Sequence, residues 1–261
     1  MDPWAAAAGS ADLVSAPVFG FVAWRMFRRP VPERARLPAS QFSLWWAAVG
    51  AGALVTGVEG VAGAVGALSF AAAYSAYLVT LLVDAVALWG LVSYLVYIYF
   101  GKYHLVELSG FYALFYVAAL YYTIARHPYA VYLPAGVPTL EYSYPNAGVV
   151  FGFVVLALLI PEILGVVLYV SLLRRTTERT PRYRIVVVSA SLVLYFGLAF
   201  FAPPASLVPA NVWTLGKAML DVFAAGLAFA AYFPPVWVQR RLGVEPVPGP
   251  GRAVPALSGG N

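Results

Sequence analysis

Long apolar stretches separated by short polar breaks dominate this chain. Runs of about 18 or more apolar residues read as membrane helices. Seven such stretches can be placed, at about 4–27, 42–68, 71–99, 105–125, 148–173, 185–203 and 213–238. The pattern predicts an all-α polytopic membrane protein, a seven-transmembrane-helix bundle over residues 1–242. The segment 28–38, with Pro30, Pro32 and Pro38, is expected to be a short cytoplasmic linker. The proline- and glycine-rich tail 243–261 is expected to be disordered and cytoplasmic. No internal repeat stands out. The longest break, Arg126 to Asn146, carries Pro128, Pro134, Pro138 and Pro145 among Tyr129, Tyr132, Tyr142 and Tyr144. So polar-poor a loop is expected to pack over the bundle mouth.

Composition agrees: 62% of residues are apolar and only 10% charged. The basic residues supply topology. Arg25, Arg28, Arg29, Arg34 and Arg36 follow the first stretch, Lys102 the third, and Arg174, Arg175, Arg179, Arg182 and Arg184 the fifth. Arg240, Arg241 and Arg252 follow the seventh. If seven helices alternate, all of these fall on one face and only Arg126 on the other. Basic loops stay cytoplasmic, which places the N-terminus outside and the C-terminus inside a cell membrane. The net charge of +5 expresses this bias. Arginines beside membrane helices point to lipid rather than nucleic acid as the partner. Met1-Asp2 lacks a basic region before the apolar run, so no cleaved signal is expected.

Two packing devices are visible. Gly57, Gly60, Gly63 and Gly66 recur every third residue in the second stretch. Small residues at that spacing let backbones approach closely, either within the bundle or against a second copy or a membrane partner subunit. Trp45, Trp46, Trp213 and Trp237 lie near the ends of the stretches and are expected to be interfacial anchors.

Chemistry could reside in the charges inside the spans, namely Glu59, Asp84, Glu162, Lys217 and Asp221. A charge near the bilayer centre costs at least roughly 2.5–3.5 kcal/mol, so such residues face the interior, paired or neutralised. These acids are expected in one layer around the midplane. Lys217 and Asp221, four apart, share a helix face and are expected to neutralise each other; the rival role is a proton or cation path through Asp221 with Asp84 or Glu59. Glu162 follows Pro161, which frees a carbonyl one turn earlier. Its acid either hydrogen-bonds a neighbouring helix or acts functionally.

Enzyme motifs do not emerge. His104 and His127 lie on opposite sides of the membrane and cannot share a haem or metal, and Glu107 reads as a first-turn helix acid. There is no cysteine. No Gly-x-Ser-x-Gly, Walker or His-Glu-x-x-His pattern occurs. Neither catalysis nor a cofactor is expected.

The last stretch carries a resemblance. Val208-Pro209-Ala210-Asn211, then Thr214-Leu215, then Leu220-Asp221-Val222 and Ala224 resemble the seventh helix of microbial rhodopsins. Tyr74, Tyr77 and Thr80 echo the third helix of that family. The resemblance implies a seven-helix opsin scaffold with its N-terminus outside. The departures are specific. Ala225 stands where the retinal-bearing lysine is expected, Ala76 at the counterion, Ala73 at its flanking arginine and Ala87 at the proton donor. The aromatic pocket positions of the sixth helix fall on Ser191, Leu194, Tyr195 and Leu198. Lys217, eight residues before Ala225 and so about 12 Å away along the axis, cannot take over the linkage. The expectation is an opsin-like scaffold without covalent retinal, acting as a sensor or transducer with a partner at the basic loops. The alternatives are a proton- or cation-linked transporter and a structural subunit of a membrane complex.

Overall fold

A computed structural model describes residues 3–30, 32–101, 104–125, 131–132, 139–140, 160–200 and 210–243. The described residues form eight helices: α1 (Pro3–Arg28), α2 (Glu33–Ala64), α3 (Phe70–Phe100), α4 (Leu105–Ala125), α5 (Ile160–Arg175), α6 (Arg179–Phe200), α7 (Ala210–Tyr232) and α8 (Val236–Leu242). Two short strands, β1 (Val131–Tyr132) and β2 (Thr139–Leu140), pair antiparallel within the long loop. The remainder of that loop, residues 148–159 of the fifth stretch and the tail from 244 lie outside the described residues.

Among the described residues, four helical spans are long and apolar enough to cross a membrane: Pro3–Arg28, Ala35–Ala64, Ala71–Phe100 and Val212–Tyr232. The chain is therefore all-helical in character and reads as a membrane protein. Three expected boundaries shift, for physical reasons. At 32 residues α2 runs about 48 Å, well beyond a hydrocarbon core of about 30 Å. It therefore continues out of the apolar window and takes Glu33, Arg36 and Pro38 into the helix. The expected 28–38 linker shrinks accordingly. The last stretch is not one helix: the Pro234-Pro235 pair cannot continue α7, and α8 starts afresh after Pro235. Likewise α6 begins at Arg179, so Arg182 and Arg184 lie on its first turns and only Thr176–Glu178 separates it from α5.

Helix α1 packs between α2 and α7, α2 also packs on α3, and α3 on α4 and α5; α5–α6 and α6–α7 complete the bundle. The α1–α2 crossing is glycine-made. A Cβ on Gly9 would lie 2.7 Å from Val61 N, and one on Gly57 would lie 2.9 Å from Gly9 O. Gly60 would meet Gly9 Cα at 3.0 Å. The Gly57–Gly60 part of the glycine face of α2 is thus closed by α1 within the same chain. Gly66, with φ +72°, instead turns the chain out of α2.

Between helices, hydroxyls donate to backbone carbonyls where the lipid-facing sequence offers few other donors. Ser43 Oγ reaches Ala23 O at 2.7 Å, Ser191 Oγ reaches Ala224 O at 2.7 Å, and Tyr183 Oη reaches Ala230 O at 3.2 Å. Such bonds hold helices together where lipid gives no hydrophobic driving force.

Candidate intramembrane site

The bundle has a polar half and an aromatic half. In the aromatic half, Trp45 (1% exposed) and Trp46 (0%) are fully buried, which overturns the expectation of interfacial anchors for both. They point into the bundle because Phe19, Phe42, Tyr94, Tyr169 and Tyr195 supply ring partners there. Phe19 stacks on Trp46 at 5.3 Å, Phe42 on Trp45 at 5.3 Å and on Tyr94 at 4.9 Å, and Phe19 meets Tyr195 edge-on at 6.0 Å. Such offset and edge contacts are preferred ring geometries. Ala224, Ala225 and Ala228 of α7 complete this core; their small side chains admit the rings. Trp237, on α8, is by contrast 64% exposed.

The polar half lies one turn away along α7. Asp221 precedes Ala225 by four residues, and Lys217 precedes Asp221 by four. The Lys217 ammonium interacts electrostatically with Asp221, with Asp84 of α3 and with Asp12 of α1. Asp12 and Asp221 also repel each other. Thr56 Oγ1 of α2 donates to Asp12 Oδ2 at 3.3 Å, and Tyr116 of α4 senses the Asp84 charge. Gly52 lies under Asp84, where a Cβ would stand 3.9 Å from Asp84 Oδ1. Five helices therefore address one group.

Lys217 does not close a contact ion pair with Asp221. Among the described residues the one ion pair within 4.0 Å is His104–Glu107, at 3.6 Å on an exposed first turn. Lys217 is exposed, whereas Asp12, Asp84 and Asp221 are half-buried. The ammonium acts as a shared counter-charge at a distance. Asp84, Lys217 and Asp221 thus come together from two helices. Glu59 does not join them: it is half-buried on α2 and has no electrostatic tie to Lys217. Glu162 falls on α5 directly after Pro161, and its side chain lies outside the described residues.

Asp12 is a site residue that the sequence pattern did not single out. Its signal was nevertheless present: it stands nine residues into α1, about 14 Å along the axis, within an otherwise apolar stretch. Among the described residues, no group of three or more His, Cys, Asp or Glu is arranged to hold a metal ion. Three carboxylates face one ammonium, so the group keeps net negative charge unless it takes up a proton or a cation.

No protein-family model matches the chain, and no curated protein matches it in sequence.

Proposed function

We propose that this chain is a seven-span membrane sensor or transducer on an opsin-like scaffold without covalent retinal. Its Lys217–Asp12–Asp84–Asp221 group exchanges a proton or small cation with the outer side, and the change is passed to a partner at the basic cytoplasmic face. The observation that carries the reading is the filled aromatic core directly beneath the acids. Phe19 and Trp46 share one buried core with Ala225, the position where the resembled family carries its chromophore lysine, and Tyr195 packs against it. A polar group above a core of packed rings can change charge without conducting.

A transporter is the second reading. It is favoured by the excess of carboxylates over the single ammonium, with Glu59 and Glu162 available for further steps. The structural-subunit reading has less support, because α1 covers Gly57 and Gly60.

Reconstitution separates the first two. In liposomes loaded with a pH-sensitive dye, an imposed proton or sodium gradient should produce no flux above that of empty vesicles. The tryptophan fluorescence of the same protein should change with external pH or sodium, and the change should be lost in Asp221→Asn. A flux abolished by Asp221→Asn would replace the sensor with the transporter.

A further inference from the structure

At the bundle end opposite the acids, α1, α6 and α7 converge on a basic cleft. Arg25, Arg28 and Arg29 come from the last turn of α1 and just beyond it, Arg184 from the second turn of α6, and Tyr232 and Phe233 from the end of α7. The cleft measures about 270 Å³ and has no carboxylate in its lining. Two of the arginines rest against rings, and among the described residues none of the four pairs with a carboxylate. Arg25 lies over the Phe233 ring at 5.3 Å and over Trp24 at 5.9 Å, and Arg28 lies over Trp24 at 5.9 Å. Phe233 is fixed in turn by Phe229 at 5.0 Å and Phe21 at 5.4 Å. Arg184 and Arg29 feel each other's charge, and Arg184 Nε is buried with no hydrogen-bond partner. Stacking on rings leaves the guanidinium edges free to donate. Four like charges around one small cleft, one of them with an unused buried N–H, call for an anion.

The cleft also borders further clefts through shared lining residues. It shares Met26, Arg29 and Pro30 with a second cleft of about 620 Å³ at the α1–α2 turn, whose lining includes both Glu33 and Arg36. That cleft shares Phe27 and Ser40 with an apolar groove of about 520 Å³ lined by Trp24, Leu44, Ala47 and Trp89. A charged head end leading into an apolar groove on the outside of the bundle has the layout of an amphiphile.

We propose that the Arg25–Arg28–Arg29–Arg184 cleft binds the phosphate of an anionic lipid headgroup, with the acyl chain lying in the Trp24–Trp89 groove. Arg184 supplies the buried donor and Arg29 stands beside it. Arg25 and Arg28 close the outer side, and the Tyr232 hydroxyl offers a further donor. The proposal does not depend on the function assigned to the acids.

The full chain in phosphatidylcholine nanodiscs, with or without added phosphatidic acid, tests it. Native mass spectrometry should find phosphatidic acid retained after transfer to detergent, and phosphatidylcholine not. Arg25→Gln/Arg28→Gln changes only exposed side chains, so it should fold as the parent does and weaken retention roughly tenfold for each guanidinium–phosphate hydrogen bond removed. Arg184→Lys keeps the charge but loses the planar fork, and should also weaken retention. The charge-matched control Arg174→Gln/Arg179→Gln, on exposed residues outside the cleft, should leave it unchanged. Displacement of the lipid by millimolar glycerol phosphate, which has no acyl chain, would keep the phosphate site and make a soluble phosphate its ligand. An equal loss in the control would reduce the effect to diffuse surface charge and overturn the site, as would equal retention of phosphatidylcholine.

Discussion

One ammonium serves three carboxylates at the end of this bundle away from the arginines, and the balance is testable residue by residue. Lys217→Met leaves Asp12, Asp84 and Asp221 facing one another with no counter-charge. Because Lys217 is exposed and not in contact with Asp221, the expected loss is modest, about 1 kcal/mol rather than the several expected of a buried pair. Adding Asp221→Asn should recover part of it, since one repelling charge is gone. Thermal unfolding of the single and double variants in detergent measures this; strictly additive losses would mean that the charges act independently. The tryptophans divide in the same way. Trp46→Ala should cost about 3 kcal/mol or more, because its ring fills the centre of the aromatic core. Trp237→Ala, on an exposed face, should stay within about 0.5 kcal/mol in detergent. At Ala225 the expectation is chemical. Adding all-trans retinal should give no red-shifted band that borohydride removes, because the buried Ala225, which the resemblance matches to the linkage lysine, can form no Schiff base.

At the scale of elements, the α1–α2 crossing depends on backbone meeting backbone. In Gly57→Ala the new methyl would sit 2.9 Å from Gly9 O and from Leu13 N, neither of which can rotate away. The helices must separate, at an expected cost of about 1–3 kcal/mol. Gly216→Ala on α7 meets nothing within 4 Å and removes a helix-weakening glycine. It should be neutral or stabilising by up to about 1 kcal/mol. Unfolding midpoints of the two variants compare close packing with intrinsic propensity; equal behaviour would mean that the crossing is looser than described. The period-three glycine pattern was legible in the sequence, but its partner was not. Gly9 is an isolated glycine in another helix, and nothing along the chain marks it as the residue that fits against Gly57 and Gly60.

Across the whole molecule, the arginine-rich end and the acid-bearing end define an axis. Absence of cysteine makes single-cysteine labelling clean. Thr177→Cys lies in the turn between α5 and α6, and Ala67→Cys in the turn between α2 and α3, both at exposed positions. With the N-terminus outside, a membrane-impermeant maleimide applied to intact cells should label position 67 and spare 177. The reverse pattern would invert the orientation.

What the sequence determined by itself is what one dimension can carry. Apolar run length is set by bilayer thickness, so the membrane class and the helices α1, α3 and α4 could be read closely. Proline chemistry could have ended α7 at Pro234, had the apolar run not masked it. The choice of inside and outside faces belonged to tertiary structure. A side chain facing lipid and one facing the core are equally apolar, so no periodicity distinguished the buried Trp45 and Trp46 from the exposed Trp237. The polar site followed the same rule. Lys217 and Asp221 share a helix and were found by spacing, while the contributions of Asp12, Thr56 and Asp84 arise only because α1, α2 and α3 meet α7. Charges on separate helices become one group through packing, and packing is fixed by backbone contacts such as Gly9 on Gly57 that leave no trace in local composition.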